Sequence, residues 1–134
     1  GARRALDMEG MEPGPGFVAG LAMTPAEGYS LAQRLLARPA HERPTALVGS
    51  DHPMLGALRA AHDLGLRVPQ DVAIAGVDDI ELGRYSVPRL STVRVEKEVL
   101  GRIAVERVLW RIAQPQTSIF RMVVDCPFIE RDTC

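Results

Sequence analysis

Residues 72–79 read VAIAGVDD, and the reading of this stretch decides the fold. It is an apolar run of strand-forming residues that ends abruptly at Gly76, Val77 and two carboxylates, Asp78 and Asp79. The turn-like Val68-Pro69-Gln70-Asp71 comes just before it. A short apolar run bounded in this way predicts a strand buried on both faces, as in a parallel sheet. In open α/β sheets such a strand presents its ligand-contacting residue just past its carboxyl end. Asp78 stands at that point. Asp79, its neighbour, is read as a helix cap or a structural hydrogen-bond acceptor.

Elements of the right kind lie on both sides of this strand. Thr24-Pro25-Ala26-Glu27 has the form of a helix start: a capping threonine, a proline at the first helical position and a glutamate able to reach back. The apolar face of Tyr29, Leu31, Ala32, Leu35 and Leu36 carries that helix to about Ala37. Residues 45–49 predict a second strand, followed by a helix through Met54, Leu55, Leu58, Ala61 and Leu64 that Gly65 ends as a C-cap. Further strands are expected at 17–22, 90–93, 119–124 and 127–130, a short helix at 80–85 and a long one at 96–112. Residues 2–8 read as the tail of a helix, stopped by the glycines and prolines of residues 10–16. Strands alternating with helices predict βαβ units, right-handed crossovers and a parallel-sheet α/β/α lobe of three layers.

A chain of 134 residues is one domain's worth, and 46% hydrophobic with 25% charged residues is an ordinary globular composition. The formal net charge of −1 argues against a nucleic-acid surface on this chain. Cys126 and Cys134 form neither a metal pattern nor a disulfide framework and are read as two reduced thiols. There is no apolar run long enough to span a membrane and no signal-peptide layout. Because Gly1-Ala2-Arg3-Arg4 already reads as helix, the chain is expected to be a fragment with an upstream part missing.

The candidate chemistry is that of binding. Ser50 and Asp51 follow one strand as Asp78 follows the next, so small and acidic polar groups converge on one sheet edge, suited to hydroxyl groups. Asp51 has two readings, a rim residue or the cap of the helix near Pro53. His52 is read as a solvated histidine at a helix start. With no G-x-S-x-G elbow, no phosphate-cradling glycine loop and no metal-ligand spacing among His41, His52 and His62, no catalytic residue, metal or cofactor is expected.

Several ordered pieces resemble one family. Pro44-Thr45-Ala46, Gly56-Ala57-Leu58, Gly65-Leu66-Arg67-Val68-Pro69-Gln70-Asp71, Gly76-Val77-Asp78-Asp79, Pro88-Arg89-Leu90-Ser91-Thr92-Val93 and Leu100-Gly101-Arg102-Ile103-Ala104 are similar to the effector-binding domain of LacI/GalR-type bacterial transcription regulators. The resemblance implies a lobe of the periplasmic-binding-protein type I fold. Residues 1–93 and 119–134 would form the second lobe, and 94–118 a crossover helix region packed on a first lobe outside this chain. It further implies a small, sugar-like effector bound by Asp78, with Ser50 where the family often has asparagine, Met23 where an aromatic often stacks and Val95 where glutamine is common. A homodimer through Leu55, Leu58, Leu82, Tyr85 and Val87 is implied too, in a cytoplasmic protein that meets operator DNA only through an N-terminal helix-turn-helix. The wide apolar stripe of the long helix is expected to leave Val99, Ile103 or Trp110 facing water. A periplasmic sugar-binding protein feeding a transporter shares the fold and is the alternative.

Overall fold

The structure, a computed structural model, describes residues 2–12 and 21–134. Three strands, β1 (Ala46–Val48), β2 (Ala73–Val77) and β3 (Ser91–Val93), run parallel in that order, and β4 (Phe128–Ile129) pairs antiparallel to β3. The helices are α1 (Ala2–Met8), α2 (Pro25–Leu36), α3 (Asp51–Asp63), the single turn α4 (Leu82–Tyr85) and α5 (Lys97–Ala113). The sheet is therefore mostly parallel, built from βαβ units as the alternating pattern requires.

Local signals start and stop the helices. The Thr24 hydroxyl accepts from the Glu27 N–H, and the Glu27 carboxylate accepts from the N–H groups of Thr24 and Met23. α3 ends on Gly65 at φ +68°, where the Leu66 N–H reaches the Ala61 carbonyl and the Gly65 N–H the His62 carbonyl. These are the paired bonds of a Schellman cap, and only glycine adopts that backbone without strain.

The core lies between helices and sheet: Ala32 and Leu36 of α2, Ala57, Leu58, Ala60 and Ala61 of α3, and Val72, Ile74 and Leu90 from the sheet side. Two glycines let α2 and α3 approach at backbone distance. A Cβ on Gly28 would strike the Pro53 backbone, and one on Gly56 would strike the Pro25 carbonyl and the Tyr29 nitrogen. Close packing of small residues here explains why α3 carries so many alanines on its buried side.

Three expectations fail. Residues 119–124 form no strand: Ile119 and Val123 are exposed, and among the described residues no segment pairs with them by the hydrogen bonds a strand requires. Leu58 is 7% exposed and belongs to the core, so it offers no side chain to a partner. On α5, Val99, Ile103 and Trp110 are half-buried while Leu100, Val105, Val108, Leu109 and Ile112 face water. Trp110 is covered by Phe120, whose ring meets it edge-on at 5.7 Å, and by the Arg107 guanidinium at 5.5 Å. The strand expected at 17–22 falls mostly outside the described residues, and Leu21 and Ala22 lie in no regular element.

The glycine contacts separate two substitutions of one kind. Gly56→Ala should cost about 1–3 kcal/mol, because the added methyl group meets backbone that cannot move aside. Gly101→Ala, in the middle of α5 with nothing within 4 Å, should gain about 0.5–1 kcal/mol from helix propensity. Urea unfolding midpoints moving in opposite directions would show it; the same sign for both would refute the packing account.

Candidate functional site

The carboxyl edge of the sheet is built on Asp51. This first residue of α3 is fully buried, in a recess left by Gly76, where a Cβ would collide with the Asp51 Oδ1. Its Oδ1 accepts from the Thr92 hydroxyl at 2.6 Å and its Oδ2 from the Ile80 N–H at 2.8 Å. Thr92 in turn accepts from the Asp79 N–H at 3.4 Å. Asp51 thus neither caps α3 nor lines the rim. Both of its oxygens are spent beneath the surface, joining α3, β3 and the turn after β2, which removes it from the effector-binding set.

Asp79 is the second anchor. Its carboxylate, 2% exposed, accepts from Arg94 Nε at 3.0 Å, from Arg84 Nη2 at 3.2 Å and, in a short bond, from Arg131 Nη2. Arg131 also donates to the Leu90 carbonyl at 2.7 Å. Burial acts to raise the pKa of Asp79, but the bonds from Arg131 and Arg94 outweigh it and bring the carboxyl down to about 2. Three segments far apart in sequence therefore meet on one charge: α4, the chain leaving β3, and the C-terminal segment after β4.

Asp78 has the opposite surroundings. It is half-buried, and its carboxylate has no hydrogen-bond or ion-pair partner among the described residues. It lines an open concavity of about 500 Å³ together with Asp79, Arg84, Arg94 and residues 95–99. Ser50, two residues past β1 on the adjacent parallel strand, is exposed, and its hydroxyl makes no cap bond. Met23, exposed ahead of α2, lies at the same end of the molecule, because the first turns of α2 and α3 pack together. Neither Ser50 nor Met23 lines the concavity itself. Val95 does, at the position where the resemblance leads one to look for glutamine.

The residues missed in sequence are the charged run Arg94, Glu96, Lys97 and Glu98, together with Arg84. The signal was present: the cluster lies on a loop between a buried strand and a helix start, and loops held by a rigid scaffold carry binding residues disproportionately. The dimer candidates divide. Leu82, Tyr85 and Val87 form an exposed group on α4 and the turn after it, with Val87 96% exposed, while Leu55 is half-buried against the core. Among the described residues, no cluster of three or more His, Cys, Asp or Glu side chains is arranged to hold a metal.

A mostly parallel sheet with polar groups gathered at its carboxyl edge defines a ligand-binding α/β lobe. The chain matches the periplasmic binding protein-like domain over residues 1–134, and it belongs to that family. Its relatives are regulators of the LacI type. It is 38% identical to the HTH-type transcriptional repressor PurR of Edwardsiella ictaluri over 118 residues, 79% of this chain and 34% of the repressor. Among solved structures, the complex of transcriptional regulator CelR with cellobiose superposes with a TM-score of 0.87 at 31% identity, covering 98% of this chain and 40% of that one. A sugar-binding LacI-family regulator from Escherichia coli, complexed with phosphate, gives 0.84 at 28% identity, covering 98% and 47%. The chain spans about a third of the length of the curated relatives it matches.

The carboxylates set the acid limit of the fold. Asp79 and Asp132 are both held at about 2, Asp132 by its paired bonds with Arg89. A depressed carboxyl stabilises the native state fully above its ordinary pKa near 4, and the contribution is lost as pH falls through about 2. Unfolding midpoints measured from pH 5 down to pH 2 should therefore fall. Asp79→Asn should lower stability at pH 5 and flatten that slope. An unchanged slope would show that Asp79 is not the group being titrated.

Proposed function

We propose that this chain is the ligand-sensing and pairing part of a LacI-type transcription regulator, with a small, polar, sugar-like effector held at the carboxyl edge of its sheet. The observation that carries the reading is the unpartnered Asp78 carboxylate at the rim, beside a neighbour whose charge is fully committed to arginines. A free carboxylate is matched by hydroxyl donors, and charge-assisted bonds of that kind are the strong ones. Ser50 adds a donor and acceptor on the next strand, and Met23 an adaptable apolar contact. The bound cellobiose of the CelR complex supports a saccharide. The role is recognition, not turnover.

The rest of the regulator follows from the same reading. Operator DNA is met by a helix-turn-helix outside this chain, whose own net charge of −1 gives little reason to bind nucleic acid. The protein works in the cytoplasm; among the described residues no helix is long and apolar enough to cross a membrane. Residues 94–118 pack on a first lobe, a reading supported by α5 having no buried residue. Leu82, Tyr85 and Val87, together with Leu55 of α3, form the homodimer contact; the first three are exposed apolar side chains of the kind that seek a partner.

In the regulator carrying both lobes, calorimetric titration with cellobiose and related neutral saccharides should identify one that binds. Asp78→Ala should weaken that binding by about 1.5–3 kcal/mol, ten- to a hundredfold. Equal affinity in the variant would remove Asp78 from the site. For pairing, sedimentation should find a dimer for the unmutated chain and a monomer for Tyr85→Glu; a dimer that survives the charge would move the contact elsewhere.

A further inference from the structure

The turn that presents Asp78 is held from another element. Asp78 sits at φ +121° and Asp79 at φ +49°, both in the left-handed region that disfavours any residue with a Cβ. Such a backbone persists only where its surroundings fix it. The Asp78 N–H donates to the Val93 carbonyl at 2.9 Å, anchoring the turn to β3. On the other side the Asp78 carbonyl accepts from Lys97 Nζ at 2.6 Å, a short charge-assisted bond. Lys97 is the first residue of α5, and its bond is the one side-chain hydrogen bond from α5 to the β1–β3 half of the chain among the described residues. No residue of α5 is buried, so packing on this lobe does little to direct the helix.

We infer that Lys97 is a positioning residue for the ligand site: its ammonium holds the left-handed Asp78 turn, aims that carboxylate at the concavity and ties the direction of α5 to it. The inference rests on the reading of Asp78 as the ligand-facing group and adds a regulatory consequence. A ligand drawn to Asp78 and the orientation of α5 act on each other through one ammonium group. The three arginines nearby cannot replace it, since Arg84, Arg94 and Arg131 all spend their charge on Asp79.

The test needs no ligand. In NMR spectra of this chain, the HN–Hα coupling of Asp78 should be small, as a φ of +121° requires, and the Leu100 amide, bonded to the Glu96 carbonyl in the first turn of α5, should exchange slowly. Lys97→Met should shift the Asp78 coupling toward the large value of extended backbone and speed Leu100 exchange by roughly tenfold. Lys97→Arg, which keeps the charge and the reach, should preserve both. If Lys97→Met leaves the coupling and the exchange unchanged, the inference is overturned. Should Lys97→Met fail to fold, Lys97→Gln decides by the same two readings: a change in both supports the role and no change refutes it. The saccharide titration of Asp78→Ala can fail while these readings hold, so the two ideas fall separately.

Discussion

A carboxylate without access to water holds the working edge of this sheet together. Asp51 lies in the space that Gly76 leaves by having no side chain, and each of its oxygens takes a different strand or turn. Removing either donor would leave a buried acceptor unsatisfied, and such a group costs more to strand than its bond contributes when made. The arrangement therefore behaves as a unit. Gly76, Asp51 and Thr92 have to be present together, and the Asp79 amide follows because it bonds to the same Thr92 hydroxyl.

Above this foundation two adjacent aspartates part company. Asp79 turns inward to three guanidinium groups and serves the fold; Asp78 lines the concavity, and its carboxylate has no partner among the described residues. A buried ion cluster of this kind is weak as a source of net stability, since desolvation offsets much of the attraction. Its effect is geometric. Arg84, Arg94 and Arg131 come from three separate segments, and one carboxylate fixes their relative positions around the concavity. The carboxylate at the rim is held on a committed one, which fixes the turn without drawing on Asp78 itself.

Most of the layout was legible in the chain because it depends on local chemistry. The Thr24–Glu27 box, Pro25 within it, Gly65 past α3 and the apolar run before Asp78 each act within a few residues, and each reappears as an element boundary. What was not legible depends on partners far away. Asp51 offered two local roles and took neither, since its donors come from residues 80 and 92. Leu58 looked free beside Leu55 because helical spacing alone does not tell which of two leucines three apart meets a neighbouring helix. Residues 119–124 have the composition of a strand, yet a strand is a relation between two segments, and among the described residues no second one pairs with them. Arg84 and Arg94 lie in a visibly charge-rich stretch, but nothing in the spacing connects them with Arg131 or directs all three to Asp79.

The pairing at the end of the sheet gives the chain an unusual topology of service. The Arg94 N–H donates to the Pro127 carbonyl, and Val93 faces Phe128 across the β3–β4 ladder. Everything between these residues, α5 included, leaves and returns through one narrow two-strand gate, so in polymer terms it is a single very long hairpin loop. A loop's closure entropy grows only with the logarithm of its length. Replacing the excursion by a short turn, an approximately eightfold reduction, would lower that entropy by about 1–2 kcal/mol while leaving the α2–α3 core and the ladder in place. Beyond Lys97, which reaches back to the Asp78 turn, the arm can diverge in sequence and length without unmaking the sheet.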